Sequence, residues 1–98
     1  MVHNPEFGAA LRAMRLSRGL SQQSFDAVTT REHISRLERG LSYPNLRLVC
    51  DLAAVLDVHP LSLVTLAFID HNGGQKPGDI WLQIQSELEA FRFHTSEQ

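Results

Sequence analysis

The sequence predicts an all-α protein, with a compact domain of five short helices followed by a sixth helix. Apolar residues recur at intervals of three and four in six segments, and no segment keeps the alternation of a β-strand. A stretch rich in Gly, Asp and Pro, DHNGGQKPGD, separates the last segment from the others. We therefore expect a domain over residues 1–69, a linker over 70–78 and a C-terminal helix over 79–98.

Each predicted helix begins near a residue whose side chain can accept a hydrogen bond from the first turn. In chain order these capping residues are Asn4, Ser21, Thr29 or Thr30, Asn45, His59 and Asp79. Pro5 and Pro60 follow two of them, and proline suits the first helical position because its missing N–H is not needed there. Gly19 and Gly40 are expected to end the first and third helices. The second predicted helix, QQSFDAV, is very short.

The spacing of the apolar residues also predicts which side of each helix faces the core. The predicted inward residues of the first four helices are Phe7, Leu11 and Met14; Phe25 and Val28; Ile34 and Leu37; and Leu46, Val49, Cys50, Ala53 and Leu56. The fifth helix carries the apolar residues Leu61, Leu63, Val64, Leu66 and Phe68. Cys50 is therefore interpreted as a small core residue and not as a reactive thiol.

The cysteine content and the hydropathy indicate the compartment. A single cysteine excludes an intrachain disulfide framework and favours a reducing environment. The chain has no apolar run of membrane-spanning length, and its N-terminus, MVHNPEFG, lacks the pattern of a secretion signal. We expect a soluble, cytoplasmic protein without a membrane partner.

The charge is unevenly distributed along the chain, although its net value is only −2. Residues 10–47 contain seven arginines and three acidic residues, whereas residues 48–98 contain two basic and seven acidic residues. Such asymmetry indicates an anion-binding N-terminal half. The structural alternative is a solvated surface whose charge is merely uneven.

Two short helices joined by a tight turn, the second of them rich in arginine, form a helix-turn-helix arrangement. The run GLSQQSF, followed by TTREHISRLERGLSYPNLRLVCDLAAVLDV, resembles the Xre/Cro-type, lambda-repressor-like helix-turn-helix family of transcriptional regulators. The most specific pieces are Leu20-Ser21-Gln22, the run ISRLERG and Pro44, and the resemblance covers roughly residues 7–68. It implies a lambda-repressor-like DNA-binding domain.

The resemblance implies which residues contact DNA, because the third helix would be the recognition helix in the major groove. Its outward residues would be Thr30, Arg31, Glu32, His33, Ser35 and Arg36. Arg31 could donate two hydrogen bonds to guanine, and Glu32 could accept one from cytosine. His33 matches a family position that is often aromatic and packed at the edge of the domain, so packing and DNA contact are equally supported for it. The predicted contacts to the DNA backbone are Gln22, Ser42, Tyr43 and Asn45, with added charge from Arg47.

The family pattern also implies a buried ion pair between Arg15 and Glu38, which would lock the recognition helix against the first helix. The sequence departs from this pattern between Phe25 and Thr30, where typical members have two more residues and a glycine. We therefore expect a shortened-turn variant, with a correspondingly altered angle between the second and third helices.

The sixth predicted helix is the expected dimer interface. Its stripe consists of Ile80, Trp81, Ile84, Leu88 and Phe91, which is wider than a lone surface helix needs. The alternative is that the stripe folds back on its own domain. A homodimer would bind a palindromic double-stranded operator.

Other functional classes have less support from the residues. One cysteine, five scattered histidines and no close pair of carboxylates predict no catalytic residue, no metal site and no cofactor. The best-supported function is a sequence-specific DNA-binding regulator, expected to be a repressor. The main alternative is an antitoxin that neutralises a toxin partner and represses its own operon, which the acidic C-terminal half would also suit. A protein-interaction module without DNA binding is the third interpretation.

Overall fold

The computed structural model describes residues 5–69 and 76–96, and it confirms the all-α fold class. The elements are α1 (Phe7–Ser17), a 3-10 helix (Gln22–Phe25), α2 (Arg31–Glu38), α3 (Leu46–Leu56), α4 (Pro60–Phe68) and α5 (Pro77–Ser96). No β-strand occurs in these residues. The chain divides into two compact units, residues 1–68 and residues 69–98.

Four predicted capping residues, Ser21, Thr30, Asn45 and His59, occupy the cap position in the structure, because capping depends on short-range geometry that the sequence specifies directly. Of the pair Thr29 and Thr30, Thr30 is the residue that caps α2. The Thr30 hydroxyl oxygen accepts a hydrogen bond from the His33 N–H at 3.1 Å. Asn45 Oδ1 accepts one from the Leu48 N–H at 2.8 Å, and His59 Nδ1 accepts one from the Leu61 N–H at 3.0 Å.

The first helix starts later than the sequence predicts. Pro5 precedes the helix instead of occupying its first turn, and α1 begins at Phe7. Glu6, the residue before α1, is held by a tertiary hydrogen bond, because its N–H donates to the carbonyl of Ala67 in α4 at 2.8 Å. The predicted cap, Asn4, lies outside the described residues.

The second predicted helix is also shorter than expected. Only Gln22–Phe25 is helical, as one 3-10 turn, and residues 26–29 form a turn that leads to the extended Thr30. The Val28 and Thr29 N–H groups both donate to the carbonyl of Phe25, at 2.9 and 3.0 Å. Valine and threonine are poor at continuing a helix because their branched side chains restrict χ1.

The core of the first unit is built from one face of every helix in it. Its buried members are Phe7, Ala10, Leu11, Phe25, Ile34, Leu37, Val49, Leu52, Leu56, Leu63 and Ala67. The predicted inward side of α3 was partly wrong, because Leu46 and Cys50 are exposed while Leu52 is fully buried. Cys50 is therefore not a core residue.

The last helix begins two residues before the predicted start. Asp79 lies in its first turn and not at the cap, and its Oδ2 accepts a hydrogen bond from the Lys76 N–H at 3.3 Å. Asp79 thus still stabilises the start of α5, from inside the helix. Residues 70–75 of the predicted linker and residues 97–98 of the tail lie outside the described residues.

Among the described residues, no single helix is long and apolar enough to cross a membrane. Helices α3 and α4 reach the required length and composition only together, as a pair bent by 106°.

Candidate nucleic-acid interface

Helix α2 has two chemically different sides. Successive residues of a helix are rotated by about 100° around its axis, so one continuous arc of about 140° contains Arg31, Ser35, Glu32 and Arg36. Ile34 and Leu37 lie on the other side, and both are completely buried in the core. The apolar side therefore fixes the rotation of α2, and the same rotation determines which polar side chains face outward.

The predicted DNA-contacting residues of α2 are accessible to different degrees. Arg31 and Glu32 are exposed in the first turn, and Arg36 is exposed in the last turn. Ser35 is half-buried, and its carbonyl accepts a hydrogen bond from the Arg39 guanidinium at 3.3 Å. The outward side thus offers two cations and one anion along a single helix face.

The threonines before α2 hold its first turn. Thr30 uses its hydroxyl oxygen as the cap, which leaves the hydroxyl hydrogen able to donate to another group. Thr29 Oγ1 lies 3.0 Å from His33 Nδ1, and His33 is half-buried. The sequence allowed either packing within the domain or contact with DNA for His33, and the structure gives this side chain a hydrogen bond within the domain.

A buried ion pair joins α1 to the end of α2. Arg15 Nε donates to Glu38 Oε2 at 2.7 Å, and a second guanidinium nitrogen donates to Glu38 Oε1 at 2.9 Å. Only 10% of the Arg15 side chain and 4% of the Glu38 side chain are exposed. The hydrogen bond with Glu38 raises the pKa of Arg15 above its ordinary value, against the opposing effect of desolvation. The third guanidinium nitrogen donates to the carbonyl of Leu20 at 3.0 Å, so the same side chain also fixes the turn after α1.

Gln22 takes part in this buried cluster. Its amide nitrogen, Nε2, donates to Glu38 Oε1 at 3.2 Å, and its side chain is half-buried. The sequence did not predict this contact, because the two residues are 16 positions apart and only the tertiary fold brings them together.

Gly8 is a second feature that sequence reasoning missed. It is a buried residue of α1, and a Cβ atom built on it would collide with the carbonyl oxygen of Leu37 and lie 2.8 Å from that of Glu38. The backbone of α1 therefore lies directly against the last turn of α2. A lone glycine within the otherwise helix-favouring run FGAALRAM was the available signal.

The loop before α3 contains the other predicted backbone contacts. Asn45 is exposed and uses Oδ1 as the cap of α3, so its side-chain NH₂ group keeps two donors. The Tyr43 hydroxyl already donates to the carbonyl of Pro5, over a long 3.2 Å. Ser42 is half-buried and Arg47 is exposed.

The predicted dimer residues lie in α5. Trp81, Leu88 and Phe91 are 54%, 62% and 67% exposed, whereas Ile80 and Ile84 are half-buried. With a rotation of about 100° per residue around the helix axis, all five side chains fall within an arc that is about 100° wide. Leu82, which is 66% exposed, lies on the opposite side of the helix.

In the part of the chain that the structure describes, no group of three or more His, Cys, Asp or Glu residues is placed to hold a metal ion.

Comparison with known families identifies the class to which this fold and site belong. A family model described as helix-turn-helix matches residues 11–63, just over half of the chain. The matched segment runs from α1 into α4 and includes all of α2. The protein therefore belongs to the Xre/Cro-like helix-turn-helix family, as the sequence resemblance indicated. It is a DNA-binding helix-turn-helix regulator of transcription. Comparison with curated proteins and with solved structures gave no significant match.

Proposed function

We propose that this regulator binds a specific double-stranded operator as a homodimer and represses transcription, with α2 as the recognition helix in the major groove. The observation that carries the proposal is the division of α2 into two sides. Ile34 and Leu37 are completely buried, while Arg31, Glu32 and Arg36 remain exposed on the opposite side. A helix held in this way can present its polar side to base edges without a change in the fold.

Arg31 and Glu32 have the chemistry needed to distinguish base pairs. The Arg31 guanidinium can donate to guanine O6 and N7 together, and the Glu32 carboxylate can accept from the amino group of cytosine. Both lie in the first turn of α2, which is the part of a recognition helix that contacts bases. Ser35 and Arg36, one turn further on, are proposed to contact a flanking base or a phosphate.

The proposed backbone contacts use donors that the fold leaves available. Thr30 retains its hydroxyl hydrogen, Asn45 retains its side-chain NH₂ group, and Gln22 retains one of its two amide hydrogens. Asn45 also lies at the N-terminus of α3, whose partial positive charge favours a phosphate. Ser42 and Tyr43 complete the set, although Tyr43 would have to exchange its hydrogen bond with Pro5 for one to phosphate.

The test of the proposal compares two arginine variants. The operator is first selected from a random DNA library, and the affinities of each variant for this operator and for random DNA are then measured. Arg31→Ala should weaken operator binding by about 1–3 kcal/mol and relax the preference at one base position, because a bidentate guanine contact supplies discrimination of that order. Arg12→Ala removes an exposed arginine from α1 and should leave the base preference unchanged.

Two results would contradict the proposal. A chain that selects no sequence from the library would exclude sequence-specific binding. Equal weakening of operator and random binding by Arg31→Ala would show that Arg31 contacts the DNA backbone and does not discriminate bases.

The homodimer is proposed because one recognition helix contacts only a few base pairs, which is too little for selection among many competing sites. Two copies related by a two-fold axis would contact half-sites about 34 Å apart on a palindromic operator. The wide apolar arc of α5 suits a second copy of the same helix, because an isologous interface requires the same surface on both chains. Exposed Trp81 and Leu88 supply large apolar area for it.

Two matched substitutions in α5 test the dimer. Leu88→Glu places a charge within the apolar arc, whereas Leu82→Glu places the same charge on the opposite side, at a residue of similar exposure (62% and 66%). Sedimentation should show that Leu88→Glu weakens the dimer and that Leu82→Glu does not. A dimer of equal strength in both variants would exclude this face of α5 as the interface.

The alternative of an antitoxin depends on the same helix. The arc of α5 could cover a toxin in place of a second copy, and the acidic residues Asp79, Glu87 and Glu89 would suit a basic toxin surface. A small toxin encoded next to this gene, neutralised by the wild-type chain but not by the Leu88→Glu variant, would favour this function. Repression is testable separately, with a reporter gene placed behind the selected operator.

A further inference from the structure

The carboxylate of Glu38 is shared between two partners. Arg15 donates to both of its oxygens, at 2.7 and 2.9 Å, and Gln22 donates to Oε1 at 3.2 Å. Since only 4% of the Glu38 side chain is exposed, water has little access to this cluster. Glu38 lies in the last turn of α2, Arg15 in α1 and Gln22 in the 3-10 helix, so one carboxylate links all three elements.

This arrangement determines the orientation of the Gln22 amide. A primary amide has a donor end and an acceptor end, and rotation by 180° exchanges them. A carboxylate can only accept, so Glu38 holds the NH₂ end of Gln22 and leaves its second hydrogen available. In the rotated amide the carbonyl oxygen would face the carboxylate, which is electrostatically unfavourable.

We propose that Glu38 is a positioning residue for DNA binding, which orients the Gln22 amide so that its second Nε2 hydrogen donates to a phosphate. The proposal rests on the proposed function, because it assigns the phosphate contact of Gln22 to DNA. It gives the Arg15–Glu38 pair a role beyond stability: the group that fixes α2 against α1 also orients a side chain at the DNA backbone.

The direction in which Glu38→Gln changes DNA affinity distinguishes the positioning of Gln22 from a simple effect of charge. Glu38→Gln removes a negative charge from the DNA-binding unit, and the loss of that charge alone would strengthen binding to a polyanion. Loss of the oriented amide would weaken binding instead. Because Gln22 is neutral, the weakening caused by Gln22→Ala should leave the dependence of affinity on salt concentration unchanged, since counterion release follows the charged contacts.

The experiment is a double-mutant cycle on the full-length chain, with the selected operator and random DNA as probes. Gln22→Ala and Glu38→Gln should each weaken binding to both probes by about tenfold, which corresponds to about 1.4 kcal/mol. Glu38→Gln should cause no further weakening when Gln22 is already Ala, because its effect passes through that side chain. Gln23→Ala, at the exposed neighbouring glutamine, is the matched control and should bind as the wild type does. Circular dichroism at the assay temperature establishes that each variant is folded.

A second measurement does not require DNA or a stable Glu38 variant. In the wild-type chain, NMR of the side-chain amides should show a Gln22 NH₂ group that is more ordered than that of Gln23. A Gln22 amide as mobile as Gln23 would overturn the proposal, and so would additive effects in the cycle or tighter binding by Glu38→Gln. Failure of the wild-type chain to bind DNA, with an ordered Gln22 amide, would contradict the proposed function and the phosphate role of Gln22, but not the orientation by Glu38.

Discussion

Replacing Gly8 with alanine should destabilise the protein, although the same replacement in most helices is stabilising. Alanine favours a helix over glycine by about 0.5–1 kcal/mol. At Gly8, however, the new methyl group would collide with the main-chain oxygens of Leu37 and Glu38. These are backbone atoms of α2, so the steric conflict is relieved only if α1 and α2 move apart.

The size of the effect follows from that geometry. The helices would have to separate by roughly 1 Å to restore ordinary van der Waals contact, and overpacking of this kind costs about 1–3 kcal/mol. At their midpoints, the cost of overpacking and the gain in helix propensity leave a net loss of about 1 kcal/mol. In a domain of this size, a loss of 1 kcal/mol lowers the Tm by about 4–8 °C.

Thermal unfolding followed by circular dichroism measures this loss, with two variants as controls. Ala9→Gly, at the exposed neighbouring position, reports the helix propensity of α1 and should lower stability by up to about 1 kcal/mol. Gly78→Ala occupies the equivalent second position of α5, where a Cβ would meet nothing within 4 Å, and should not lower the Tm. A Gly8→Ala variant with an unchanged or higher Tm would refute the close approach of α1 to α2.

Two further predictions concern stability. Glu38→Gln should lower the free energy of unfolding by about 3–5 kcal/mol, because it leaves the buried Arg15 charge without its counterion. Glu32→Gln changes an exposed residue and should lower the free energy of unfolding by less than about 0.5 kcal/mol. Equal values for the two variants in urea unfolding would exclude the buried pair as a stabilising contact. Asp57 ends α3 in the left-handed conformation, with φ of 59°, and Asp57→Gly should raise the stability by about 0.5–1 kcal/mol. A lower Tm for Asp57→Gly would mean that the aspartate makes a stabilising contact that outweighs the strain.

The caps of three helices were predictable from the sequence because a cap involves residues only two or three positions apart. Thr30, Asn45 and His59 each accept a hydrogen bond from the first turn of the helix that follows. The start of α1 was not predictable in this way. Glu6, which precedes α1, makes no side-chain cap, and its N–H instead donates to the distant carbonyl of Ala67 in α4.

The inward face of α3 shows a different limit of pattern analysis. Between Leu46 and Leu56 the helix is apolar on nearly all sides, so several rotations satisfy the same spacing rule. The sequence therefore suggested Leu46 and Cys50 for the core, whereas packing selected Leu52. In α2 the pattern allowed only one choice, because Ile34 and Leu37 are its only apolar residues, and both are completely buried.

The contrast between local sequence pattern and long-range packing also explains which features of the candidate interface could be predicted from the sequence. The exposure of Arg31 and Glu32 was predictable because the two apolar residues of α2 determine its outward side. The orientation of Gln22 was not, because it depends on a carboxylate 16 residues away that is itself held by Arg15. Gly8 and the Arg15–Glu38 pair act on the same end of α2, one through backbone contact and the other through charge. The position of α2 is therefore set at its C-terminal end and along its buried side, while Arg31 and Glu32 in its first turn are exposed.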